Sequence, residues 1–171
     1  MCVTEPSKET GVTERGERML LAVDIGLRSG LALYGDDGRL RWYRSSNFGN
    51  RTRCRHAVYG LLGDLPGLSL LILEGGGPIA DIWVRAAGRQ GIEVKQISAE
   101  QWRTDLLYRR EQRKGTEAKK HADTLARRVI AWAKAPRPTS LRHDAAEAIL
   151  VGLWGVNHIG WLPEFPAELR R

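Results

Sequence analysis

The chain has 171 residues, enough for one domain with a real core and too short for two, and its apolar share is ordinary for a soluble globular protein. No apolar run approaches the roughly 20 residues of a membrane span, and the two distant cysteines, Cys2 and Cys54, argue against a disulfide framework or a zinc cluster. The formal net charge of +7 favours a polyanionic partner, nucleic acid first, in a reducing cytoplasm.

Residues 1–18 are polar, lack the apolar stretch of a signal peptide, and read as a disordered leader. A domain is expected over 19–156, followed by a tail over 157–171. Residues 19–24 read as a buried strand and 29–34 as a second, after a tight turn. The hairpin signal Gly35-Asp36-Asp37-Gly38 leads to a third strand over 40–45, making an antiparallel meander. A basic helix follows over about 51–65, with Ala57, Val58, Leu61 and Leu62 at helical spacing.

The continuous apolar run 68–73 suits a strand buried on both faces. Residues 79–90 predict a helix that ends at Gly91, and 92–97 a fifth strand. Ser98 caps a short helix around 102–107, and 108–115 is a polar basic loop. A long amphipathic helix starts at Thr116 and is broken by Pro136 and Pro138; the last helix covers about 141–156. The order β-β-β-α-β-α-β-α-α-α predicts an α/β mixed five-stranded sheet with helices on both faces.

Four acids stand out by context. Asp24 ends the run Leu20-Leu21-Ala22-Val23, and Glu74 ends Leu70-Leu71-Ile72-Leu73 before Gly75-Gly76-Gly77. A carboxylate at the end of a buried strand is expensive to desolvate unless something compensates it. Asp144 and Glu147, at i and i+3, share a face of the last helix. Each has a plainer reading: Asp24 bonded within its own turn, Glu74 at the mouth of a loop, the helix pair complementing the macrodipole. The dipole explains Asp144 well and Glu147 less well. Together the four suit two hard divalent cations about 4 Å apart and metal-dependent phosphodiester chemistry, with Asp24 bridging. His143 is a further candidate ligand or general base.

These residues resemble the RuvC family of Holliday junction resolvases, particularly its compact phage-type members, within the ribonuclease H-like superfamily. The resemblance covers about 20–154 and is carried by D-x-G-x-x-x-G at Asp24, Gly26 and Gly30, by the strand-terminal Glu74, and by Asp144-Ala145-Ala146-Glu147-Ala148-Ile149. It implies a homodimer that resolves four-way DNA junctions by paired nicks, using Mg²⁺ or Mn²⁺ and no nucleotide cofactor. It implies further that Asp24, Glu74, Asp144 and Glu147 are catalytic metal ligands. A family lysine near the scissile phosphate maps to Lys119, with Lys120 the alternative. Family members often carry a base-stacking aromatic shortly after the glutamate; here Gly75-Gly76-Gly77-Pro78-Ile79 stands in its place, leaving Trp83 or Tyr108 as candidates.

Between 103 and 128, nine Lys or Arg face four acids, so five of the seven excess charges fall there. Arg103, Arg109, Arg110, Arg113, Lys114, Lys119 and Lys120 are the expected phosphate contacts. Other readings stay open: a nuclease of the same fold for flaps, forks or RNA–DNA hybrids, and a non-catalytic DNA-binding module. An actin-like kinase would need two related domains, well beyond what 171 residues hold.

Overall fold

In the computed structural model, which describes residues 16–107 and 115–170, five strands form one sheet in the order β3-β2-β1-β4-β5. β1 (Met19–Asp24), β2 (Arg28–Gly35) and β3 (Leu40–Asn47) are antiparallel neighbours, as the meander predicts. β4 (Leu68–Glu74) runs parallel to β1, and β5 (Glu93–Ile97) parallel to β4. The helices are α1 (Arg51–Gly63), α2 (Pro78–Arg89), α3 (Ala99–Leu106), α4 (Gly115–Ala133) and α5 (His143–His158). The basic loop expected at 108–115 falls mostly outside the described residues; Gly115 already belongs to α4.

The period of two along β1 divides the core. Leu20 and Ala22 face a cluster built with α3, α4 and α5, while Leu21 and Val23 face the other side, covered by α1 and α2. Continuous burial on both faces explains why β1 and β4 read as uninterrupted apolar runs. α3 opens with the expected capping contact, in which the Gln101 side chain accepts from the Ser98 N–H at 2.8 Å.

α5 is the central helix of its layer, buried from Ala145 to Val156. Its close seat on the sheet depends on small residues. A Cβ on Gly152 would lie 2.2 Å from the Tyr34 ring, and one on Gly155 would lie 2.3 Å from Ile72. Tyr34, fully buried beneath the helix, donates its hydroxyl to the Ile149 carbonyl at 2.7 Å. Gly30 has the tightest approach: a Cβ there would sit 1.8 Å from the Asp144 carbonyl oxygen. The motif glycine therefore serves helix packing rather than a turn. Gly26, in the loop between β1 and β2, meets the backbone of Arg28 and is the residue that turns the chain.

The C-terminal segment folds back instead of extending. Trp161 and Phe165 pack against the α5-side core, Leu169 is buried in it, and the Arg18 guanidinium lies 5.2 Å from the Trp161 ring centroid. Trp161 is thus engaged within its own chain.

Gly30→Ala should cost about 2–3 kcal/mol, because overpacking here meets backbone and not a flexible side chain. Thermal melting checks this against Gly60→Ala, where a Cβ meets nothing within 4 Å and the helical position should gain roughly 0.5–1 kcal/mol. Equal melting temperatures for the two variants would refute the packing account.

Candidate metal centre

Asp24 and Glu74 are register partners at the C-terminal ends of the parallel strands β1 and β4. The Ile25 N–H donates to the Glu74 carbonyl at 3.1 Å, so the two chains stay paired until both carboxylates have been presented. Beyond Glu74 the backbone takes positive φ at Gly75 (107°) and Gly77 (81°), conformations that favour glycine and turn the chain sharply into α2. A Cβ on Gly76 or Gly77 would meet nothing within 4 Å, which leaves the space beside Glu74 clear.

Glu147 reaches the same point from α5. One carboxylate oxygen each from Asp24, Glu74 and Glu147 lie within 4.8 Å of one another. Burial, then the negative charges of Glu147, Glu74 and Asp144, push the Asp24 carboxyl up to about 8, with Arg103 acting in the opposite sense. Burial and Glu147 also raise Glu74. Its Oε2 is buried without a hydrogen-bond partner; the Trp102 indole eases the charge from nearby, but its N–H is equally without a bond. An orphaned carboxylate oxygen within an all-oxygen cluster fits a hard divalent cation, which would supply the missing counter-charge.

The fourth acid is turned aside. Asp144 Oδ2 accepts from the Ser45 hydroxyl at 2.5 Å and Oδ1 from the Ala145 N–H at 2.9 Å. It occupies the first turn of α5, where its charge complements the helix dipole. Glu147 is the deeper of the pair, with Arg103 donating to its Oε1 at 2.6 Å and His143 Nε2 at 3.4 Å from it. Glu147 therefore joins the convergent set, and Asp144 stands beside it in the place that the dipole reading gives it.

No family model and no curated protein matches the sequence. Among solved structures, T. thermophilus RuvC in complex with a Holliday junction substrate superposes with a TM-score of 0.59 at 15% identity, covering 84% of this chain and 96% of that one. The chain has the RuvC-like fold. The catalytic core domain of BIV integrase overlaps more loosely, with a TM-score of 0.33 at 11% identity, over 78% of this chain and 79% of that one.

Within this RuvC-like fold the remaining expected site residues are spread out. Arg103, expected on phosphate, is engaged with Glu147 and lies over the Trp102 ring. Lys119 and Lys120 are exposed on α4 and line a shallow hollow that also includes His143. Arg109, Arg110, Arg113, Lys114 and Tyr108 lie outside the described residues. Trp83 is fully buried against Phe48 and is excluded as a base-stacking residue. Sequence reasoning does not single out Ser45. It comes to Asp144 because Gly30 pairs with Ser45 on one side and Asp24 on the other, a register that the residues alone leave unstated.

The raised Asp24 carboxyl makes metal-free stability depend on pH. The folded state binds a proton that the unfolded chain releases near 3.8, so stability is greatest below that value and is lost as pH rises towards about 8. Asp24→Asn removes the repulsion. In EDTA at pH 8 it should melt higher than the parent; one pKa unit of relief is about 1.4 kcal/mol, or roughly 3–5 °C. Mg²⁺ or Mn²⁺ should raise the parent's melting temperature, more at pH 8 than at pH 6, and leave Asp24→Asn nearly unmoved. A parent indifferent to both metals would remove the metal-centre reading.

Proposed function

We propose that the chain is a metal-dependent, structure-specific endodeoxyribonuclease that resolves Holliday junctions by paired symmetric nicks. The observation that carries this reading is the convergence of Asp24, Glu74 and Glu147 from β1, β4 and α5 of a RuvC-like fold. The T. thermophilus RuvC structure that shares the fold holds a Holliday junction substrate, which favours branched DNA over a simple duplex.

Asp24, Glu74 and Glu147 would hold two ions, Mg²⁺ or Mn²⁺, with Asp144 as a fourth carboxylate. Such ions, when bound, supply an activated water and stabilise charge on the leaving 3′ oxygen. The protein's own groups orient the substrate. Arg103 stands at the cluster already, hydrogen-bonded to Glu147, and offers a positive charge to the phosphate ester. Lys119, with Lys120 beside it on α4, binds the same strand near the scissile bond. His143, 3.4 Å from Glu147, is placed to take up a proton at the edge of the site. The chain acts as a homodimer, so that two such sites meet opposed strands of one junction.

Incubation with a synthetic four-way junction and Mg²⁺ should give two nicks related by the junction's symmetry. Asp24→Asn, Glu74→Gln and Glu147→Gln should each lower the nicking rate by at least about 10²-fold while junction binding persists. Lys119→Ala should slow nicking and leave metal-induced stabilisation unchanged. Flap, fork, RNA–DNA hybrid and linear duplex substrates in the same assay define selectivity. Duplex cut as readily as junction would overturn the resolvase assignment.

A further inference from the structure

On the opposite side of the sheet from the α3–α5 layer, α1 and α2 enclose an open groove of about 620 Å³. The size is that of a site for a small ligand or one to two nucleotides. Arg51 and Arg55 of α1 form one wall, and Arg85 and Arg89 of α2 the other. Each pair is spaced i and i+4, so the charges of a wall lie one above the other along the groove. Like charges at that spacing weaken a helix, and here the pattern occurs on both walls.

No guanidinium of the four has an ion pair or hydrogen bond among the described residues. Asp81 is the single acid on the lining. The α1 row continues through Tyr59, whose 52% exposure is the greatest of any large apolar or aromatic side chain described. The backbone beneath that ring is tied across the groove, since the Gln90 side-chain amide donates to the Tyr59 carbonyl at 3.0 Å.

We propose that this groove binds an unpaired strand of nucleic acid, with phosphates on the arginine walls and a base stacked on Tyr59. Charge complementarity selects a polyanion, because four cations without partners among the described residues face one acid. The exposed ring in a concavity selects a strand with free bases over a duplex, whose bases are already stacked. A second copy of the same face is disfavoured: an isologous contact would set arginine against arginine. The groove begins at Pro78, just past Glu74-Gly75-Gly76-Gly77, so a strand lying in it continues towards the acidic cluster. This site is separate from the carboxylates and does not require them to cut.

Fluorescence anisotropy in EDTA tests it without cleavage, using a labelled oligothymidine of about 16 nucleotides and a hairpin duplex of equal length. Tyr59→Ala should weaken oligothymidine binding about tenfold, leave duplex binding within about twofold, and be rescued by Tyr59→Phe. Arg55→Gln with Arg85→Gln should reduce the salt dependence of single-strand binding, by about 0.7 in log–log slope for each arginine lost. These side chains are exposed, and unchanged melting curves would show that the variants fold. Unaltered single-strand affinity in the variants would overturn the proposal, as would equal losses for duplex. A changed sedimentation coefficient for either variant would also overturn it, by assigning the face to a subunit interface. Loss of junction cleavage with intact strand binding would count against the nuclease reading alone.

Discussion

Three carboxylates are drawn into a partly buried space by two strand ends and one helix, and this repulsion is the constraint to which the rest of the molecule answers. Two ionised carboxylates under 5 Å apart repel by roughly 3 kcal/mol even at an effective dielectric near 20. Asp24 meets this by keeping a proton up to about pH 8. Glu147 meets it through Arg103. Glu74 has neither remedy complete, and its orphaned oxygen records the deficit. What holds the strand ends together is the apolar body behind them: β1 and β4 are buried along their central residues on both sides, and α5 is buried through twelve consecutive residues from Ala145 to Val156. Hydrophobic burial of that extent can hold a few kcal/mol of local electrostatic strain.

The small residues of α5 connect that burial to the site. Helix and sheet approach closely only because Gly152 and Gly155 face Tyr34 and Ile72, and Gly30 admits the Asp144 carbonyl. The position of Glu147, one turn further along, follows from the same seat. A shift of α5 by the width of a methyl group would separate Glu147 from Asp24 and Glu74. The convergence of the carboxylates is thus a packing result, set by glycines that carry no chemistry of their own.

Element types and the sheet were legible in the sequence because buried strands and amphipathic helices have distinct periods. Asp24 and Glu74 were legible for a related reason: polar residues terminating apolar runs mark a place where the core opens. The division of labour between Asp144 and Glu147 was not. Both lie on one helix face, and their roles are decided by Ser45 and Arg103, partners 99 and 44 residues away in sequence. The packing role of Gly30 was hidden similarly, since a glycine needed for close approach looks in sequence like one needed for a turn. Trp83 shows the same limit from the other direction, for a tryptophan near a candidate site has no sequence mark of being in the core.

Charge is arranged by side as well as by amount. The acids converge at the strand ends, while Lys119 and Lys120 of α4 and the arginines of α1 and α2 belong to helix layers on opposite sides of the sheet. Counting along the chain favours residues 103–128, because their excess is contiguous; the α1–α2 arginines come from two segments that the count keeps apart. Folding joins them because α1 and α2 lie side by side over the Leu21–Val23 side of the sheet. A polyanion approaching the carboxylates would otherwise be repelled by them. Under the proposed function, cationic surfaces on both sides would hold it while one phosphate enters the acidic space, where divalent ions would supply the counter-charge. On that proposal the basic surfaces and the acidic centre are complementary requirements: the first would bring the backbone in, and the second would accept it only with metal in place.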